Sequence, residues 1–145
     1  MSIHLNRKKI LCITFFLCCV LPACFTWFEC DAVTMRGLSM LELPLLVGTT
    51  LFAFALLFER PRYMLPLGIS SHLLLLAFLV NAFLSFPVAA GCSETYALSL
   101  SFDSACTAFW IAFALLIVHL GLFTTTEIAV QNFTKQSAAQ RNSSN

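Results

Sequence analysis

The chain has 145 residues, 59% of them hydrophobic and only 10% charged, with a mean hydropathy of +0.88. Soluble domains carry about one quarter charged residues, so this composition speaks against a water-soluble fold. The net charge of +1 leaves no basic surface for nucleic acid.

Residues 1–9 hold Arg7, Lys8 and Lys9 and are expected in the cytoplasm. Apolar runs follow at about 10–28, 41–58, 65–90 and 106–129. A helix rising 1.5 Å per residue needs about 20 apolar residues to cross a bilayer. The pattern therefore predicts an all-α membrane protein, a four-transmembrane-helix bundle over residues 10–129. The first run also imitates a secretory signal, because Leu21-Pro22-Ala23-Cys24 resembles a lipoprotein cleavage box. Pro22 and the apolar continuation through Trp27 and Phe28 argue for a retained anchor, with those two aromatics at the outer interface.

The connections at 29–40, 59–64 and 91–105 are short, which makes neighbouring helices antiparallel and gives up-down-up-down topology. The loop 29–40 is too small to fold by itself. Pro44 falls in the first turn of the second span, Pro61 and Pro66 bracket the cytoplasmic turn, and Pro87 is expected to kink or end the third. Seven of the eight basic residues, all but Arg36, fall on one side. The positive-inside bias then places both termini and loop 59–64 in the cytoplasm, with loops 29–40 and 91–105 outside. Residues 130–145 are polar and expected to be a disordered cytoplasmic tail. The Asn132-Phe133-Thr134 and Asn142-Ser143-Ser144 sequons would lie on the cytoplasmic side, where they mean nothing.

Helices in lipid associate through small residues and a few interhelical hydrogen bonds. In the third span Ser70, Ala77, Asn81, Ser85 and Ala89 share a stripe that should face the bundle. Ala105, Ala108, Ala112 and His119 of the fourth span, and Gly48, Thr49, Thr50, Ala53 and Ala55 of the second, are its natural partners. Asn81 is expected to bond Thr49 or Thr50 as a packing clasp. His72 and His119 lie at matching depth, roughly 12 Å from the cytoplasmic helix ends. A shared haem, metal or proton site would need both to face inward. Nine residues at about 100° each turn His72 away from Asn81, so His119 is expected inside and His72 at a helix edge, against a partner or in the headgroup region. Glu42 and Glu127 are placed near span ends that water reaches. No metal and no cofactor are expected.

Of seven cysteines, Cys12, Cys18 and Cys19 lie within the first span and Cys24, Cys30, Cys92 and Cys106 at the outer side. An oxidising compartment permits three pairings of those four. Cys92 with Cys106 is the first choice, since it closes one loop of about 15 residues, and Cys24 with Cys30 is the second pair. The alternative joins Cys30 to Cys92 or Cys106. Four spans with cysteines in two outer loops resemble, in topology, the quinone-linked disulfide-forming enzymes of bacterial inner membranes and the vitamin K epoxide reductases. Those families carry a Cys-x-x-Cys pair; none occurs here, and no catalytic residue is carried over.

No Ser/His/Asp set, phosphate loop or HExxH helix appears. The leading expectation is a non-enzymatic inner-membrane protein, held in the lipid bilayer, that acts through contacts with other membrane proteins or a second copy of itself. In size and hydrophobicity it resembles small immunity-type proteins. The alternatives are a redox or haem-binding subunit using His72, His119 or the outer cysteines, and an oligomeric channel or small transporter lined by Thr49, Thr50, Asn81 and His119.

Overall fold

A computed structural model describes residues 2–30, 33–57, 61–96 and 98–143. Glu59 and Arg60, the start of loop 59–64, and the side chains of Glu42, Arg62 and Arg141 lie outside the described residues. The chain is mainly helical with a short sheet: α1 (Ser2–Ala23), β1 (Thr26–Cys30), β2 (Val33–Arg36), α2 (Gly37–Leu57), α3 (Pro61–Ala89), α4 (Leu98–Ser104) and α5 (Thr107–Ser143). The four long helices pack in a closed ring, α1 on α2, α2 on α3, α3 on α5 and α5 on α1. Two of them, over Tyr63–Ala89 and Thr107–Ser137, are long and apolar enough to cross a membrane. The apolar part of α2, Leu43–Leu57, is shorter, and α1 begins with its three cations.

The first helix stops five residues short of the predicted end. Pro22 sits in its last turn, and the Pro22 carbonyl accepts the Trp27 indole N–H at 2.7 Å and the Phe25 amide at 3.1 Å. The chain then turns into a hairpin, pairing β1 antiparallel to β2 with a bulge between Thr26 and Phe28. A bulge lets neighbouring residues of one strand face the same side. Trp27 and Phe28 both turn inward and are buried, so they are not the interface anchors expected. Phe28 stacks on Phe86 of α3 at 4.9 Å and meets Phe109 of α5 at the same distance. The Cys106 amide donates to the Trp27 carbonyl at 2.7 Å, and Phe28 forms a bridge with Ala105. The hairpin thus closes one end of the helical ring as an aromatic plug.

Helix α2 starts at Gly37, where a Cβ would strike the Trp27 ring. Pro44 therefore lies about two turns inside α2, not in its first turn, and leaves the Met40 carbonyl without its helical donor. Helix α3 opens on Pro61, where a missing amide costs nothing, and runs through Pro66 and Pro87 to Ala89. Gly91, at φ +73°, reverses the chain there, and the Pro87 carbonyl collects the amides of Cys92 and Ser93. Loop 91–105 contains α4, whose Phe102 stacks on Trp110. Helix α5 continues to Ser143, so the segment expected to be a disordered tail is helical; its Ala, Gln and Lys residues propagate a helix already nucleated.

The disulfide joins Cys30 to Cys92, leaving Cys24 and Cys106 free. This corrects the first-choice pairing of Cys92 with Cys106 and of Cys24 with Cys30. The hairpin folds over the end of α3 and carries Cys30 to Cys92, whereas α4 separates Cys92 from Cys106. The bond closes a separation of 62 residues. Cys30→Ser is expected to cost about 2–5 kcal/mol and to expose the Cys92 thiol to alkylation, while Cys106→Ser leaves non-reducing mobility unchanged.

Packing along the ring is close at two glycines. A Cβ on Gly48 would lie 2.6 Å from Leu75, and one on Gly68 would enter the ring of the fully buried Phe123. Gly68→Val is expected to destabilise the fold by about 1–3 kcal/mol through overpacking. Gly121→Ala, which meets open space, should be neutral or slightly stabilising in the same thermal-unfolding series in detergent.

Candidate functional site

The interior face of α5 is Phe109, Ala112, Leu116, His119, Phe123 and Glu127, all buried. That of α3 is Gly68, Ser71, His72, Leu75, Leu79, Ala82, Phe83 and Phe86, also buried. Helix α1 contributes Leu11 and Phe15, with Thr14 half-buried beside them. These faces bring the two histidines together in mid-bundle. His72 Nε2 and His119 Nδ1 are 2.8 Å apart, with the rings stacked at 13° and their centroids at 5.1 Å. His119 Nε2 lies 3.0 Å from Thr14 Oγ1, and His72 Nδ1 lies 2.7 Å from the Gly68 carbonyl. Phe15, Phe52 and Phe123 surround the couple.

The placement of His72 overturns the helix-edge expectation, and the reason is the rotation of α3. The Ser71 hydroxyl donates to the Gly48 carbonyl at 2.9 Å in a buried seam between α2 and α3. Ser71 and His72 then face inward, and the opposite stripe faces out: Ser70, Ala77, Asn81 and Ala89 are exposed and Ser85 is half-buried. The expected clasp from Asn81 to Thr49 or Thr50 does not form. Thr49 and Thr50 donate instead to carbonyls of their own helix, Leu45 at 2.7 Å and Leu46 at 2.6 Å. In α5, Ala108 is half-buried and Ala112 buried against the core, although the α3 stripe expected to partner them faces out.

Glu127 is not at a watery end. Its side chain is 1% exposed, and Arg7 Nη2 of α1 approaches Glu127 Oε1 at 3.4 Å. This pair and the Thr14–His119 contact lie on the same two helices, about 10–12 Å apart along their axes. Sequence reasoning missed the pair because Arg7 was assigned to a cytoplasmic end before the first span, whereas α1 is helical from Ser2 and carries it alongside α5.

What this constellation can do chemically is limited by its geometry. Two imidazole nitrogens in direct contact leave no room for an iron between them. Among the described residues, no three His, Cys, Asp or Glu side chains gather to hold a metal. The thiol of Cys106, free like that of Cys24 and in the connection before α5, is pushed above its usual pKa by burial and then by the nearby Glu29 carboxylate. A partly open apolar recess of about 20 Å³, lined by Cys18, Cys19, Trp27, Leu75, Ala112 and Leu116 among others, is too small for a cofactor. What remains is a hydrogen-bonded histidine couple in an aromatic cage.

No protein-family model, no curated protein and no solved structure matches this chain. Function has to be argued from the site and the surface.

Removing one member of a buried ion pair strands the other charge. Glu127→Leu alone is expected to destabilise the protein by about 3 kcal/mol, and the Arg7→Leu/Glu127→Leu double variant by clearly less. Thermal unfolding of the four members of that cycle measures the coupling.

Proposed function

We propose that the chain is a four-span integral protein of an inner (plasma) membrane, working by contact with other membrane proteins rather than by catalysis. The distribution of side chains supports the membrane reading. Large apolar residues point outward from every long helix, among them Phe16 and Leu17 of α1, Leu46 and Phe54 of α2, Leu73 and Val80 of α3, and Ile117 and Val118 of α5. His72, His119, Ser71 and Glu127 are turned inside. That arrangement suits a solvent of hydrocarbon. Arg7 and Lys8 lie at one end of the ring, and Glu29, Glu94, the disulfide and Asp103 belong to the other. This agrees with both termini in the cytoplasm and the hairpin and α4 outside.

The contact reading rests on the outward face of α3. Asn81 is exposed about 12 Å inside the C-terminal end of that helix, a depth that is hydrocarbon if α3 spans. An amide without a partner there costs roughly 2–7 kcal/mol, depending on the reference state. Ala77, one turn away on the same face, is exposed too, and a small residue next to a polar one is where a second helix packs closely and bonds a polar side chain. The partner most in keeping with this surface is a transmembrane helix that supplies a hydrogen-bonding group at the depth of Asn81. The redox or haem reading has less to rest on, given the contact between the imidazoles.

Asn81→Cys is expected to crosslink to a neighbouring chain in native membranes, whereas Phe16→Cys on α1 is not. Ala77→Leu/Asn81→Leu should abolish partner recovery without lowering the thermal midpoint. Equal crosslinking from both positions would remove the basis for the proposal.

A further inference from the structure

We infer that His72, His119 and Thr14 form a binding site for one proton, shared between the two rings and limited to one by their contact. The inference does not depend on the contact reading above, since its readouts are intramolecular.

Donors and acceptors can be assigned along the chain of contacts. A carbonyl only accepts, so His72 Nδ1, 2.7 Å from the Gly68 oxygen, carries a hydrogen. In the neutral ring Nε2 is then an acceptor, and the hydrogen between the rings belongs to His119 Nδ1. His119 Nε2 is left as an acceptor toward Thr14, whose hydroxyl donates to it at 3.0 Å. The neutral state is fully bonded, with both rings in the Nδ1–H form.

A proton taken from water binds His119 Nε2. That nitrogen becomes a donor to Thr14 Oγ1, and the hydroxyl hydrogen turns to the carbonyl of Ile10 at 2.9 Å or of Leu11 at 3.1 Å, both already in reach. The hydrogen between the rings can then sit on either facing nitrogen, which spreads the charge over both. No bond is lost in the change. A second proton would put hydrogens on both facing nitrogens across 2.8 Å, and that contact cannot survive. Thr14, half-buried on α1, is the element that makes both states satisfied, because one hydroxyl can donate to α5 or to its own helix.

The charged and titratable groups around the site lie on all four helices' inner faces or ends, and Lys9 is exposed beyond Arg7 and Lys8 on α1. From α1, Arg7 with half-buried Lys8 lies toward the inner end and Cys18 and Cys19 toward the outer. Helix α5 adds Glu127, whose charge offsets that of Arg7. Helix α2 brings Phe52, and α3 brings Ser71, bonded to Gly48, with Tyr63 exposed near its start. The ring of Phe123, stacked on His72 at 5.8 Å, offers a face to the shared charge.

The test is nitrogen-15 NMR of histidine-labelled full-length protein in lipid bilayers, with His4→Gln removing the third histidine. Above about pH 8, where imidazole is neutral, both rings are expected as Nδ1–H tautomers. Acidification should add one proton per pair, split between the rings, while the native spectrum persists. Thr14→Val should lower the midpoint of that step by about one pH unit, a tenfold loss of proton affinity, and Thr14→Ser should restore it. An Nε2–H tautomer in either neutral ring, two independent titrations near pH 6.5, or a midpoint indifferent to Thr14→Val would each overturn the inference.

Discussion

The Ser71 hydroxyl and the Gly48 carbonyl, 2.9 Å apart between α2 and α3, set how α3 is turned about its own axis, and most of the structure follows from that angle. The bond is possible because Gly48 has no side chain to hold Leu75 away. With Ser71 inside, His72 is inside too, and α3 meets α5 at His72 with His119 and at Phe83 with Phe109 and Trp110. The same rotation turns Asn81 and Ala77 outward. A shift of about 100°, one residue on a helix, would separate the histidines and bury a different set of side chains.

A second constraint is the bulk of the interior. The core is built largely of aromatic rings: Phe15, Phe52 and Phe123 around the histidines, and Trp27, Phe28, Phe86 and Phe109 beneath the hairpin. Rings of that size fit only where the facing helix is pared down, as at Gly68 under Phe123 and Gly37 under Trp27. Small residues here make room for large ones inside the ring. At Gly48 and Ser71 they also bring two helices together in the small-against-small manner familiar in membranes.

Much of this was legible in the residues. The apolar runs gave four long helices, and the four cysteines set apart from the first span's three included the two that pair. The rotation of α3 was misread because small and polar residues were taken as the interior face. The better signal was spacing: Gly68, His72, Leu75, Leu79, Ala82 and Phe86 recur at alternating four- and three-residue steps, the repeat of helices packed side by side. Phe109, Ala112, Leu116, His119 and Phe123 of α5 do the same. Reading both repeats together would have set His72 opposite His119. The hairpin escaped notice because Trp27 and Phe28 prolong the hydropathy of α1, so no drop in apolar character marks the helix end; Thr26, Val33 and Thr34, β-formers around a turn, were the available sign. The pairing of Cys30 with Cys92 depends on that hairpin and could not be chosen without it.

The Cys30–Cys92 bond also carries a temporal meaning. Its two sulfurs are separated by α2 and α3 in the chain, so the first thiol is synthesised well before the second. Closure has to wait for α3 but not for α5, which makes the cross-link a mark that the hairpin and the far end of α3 have met.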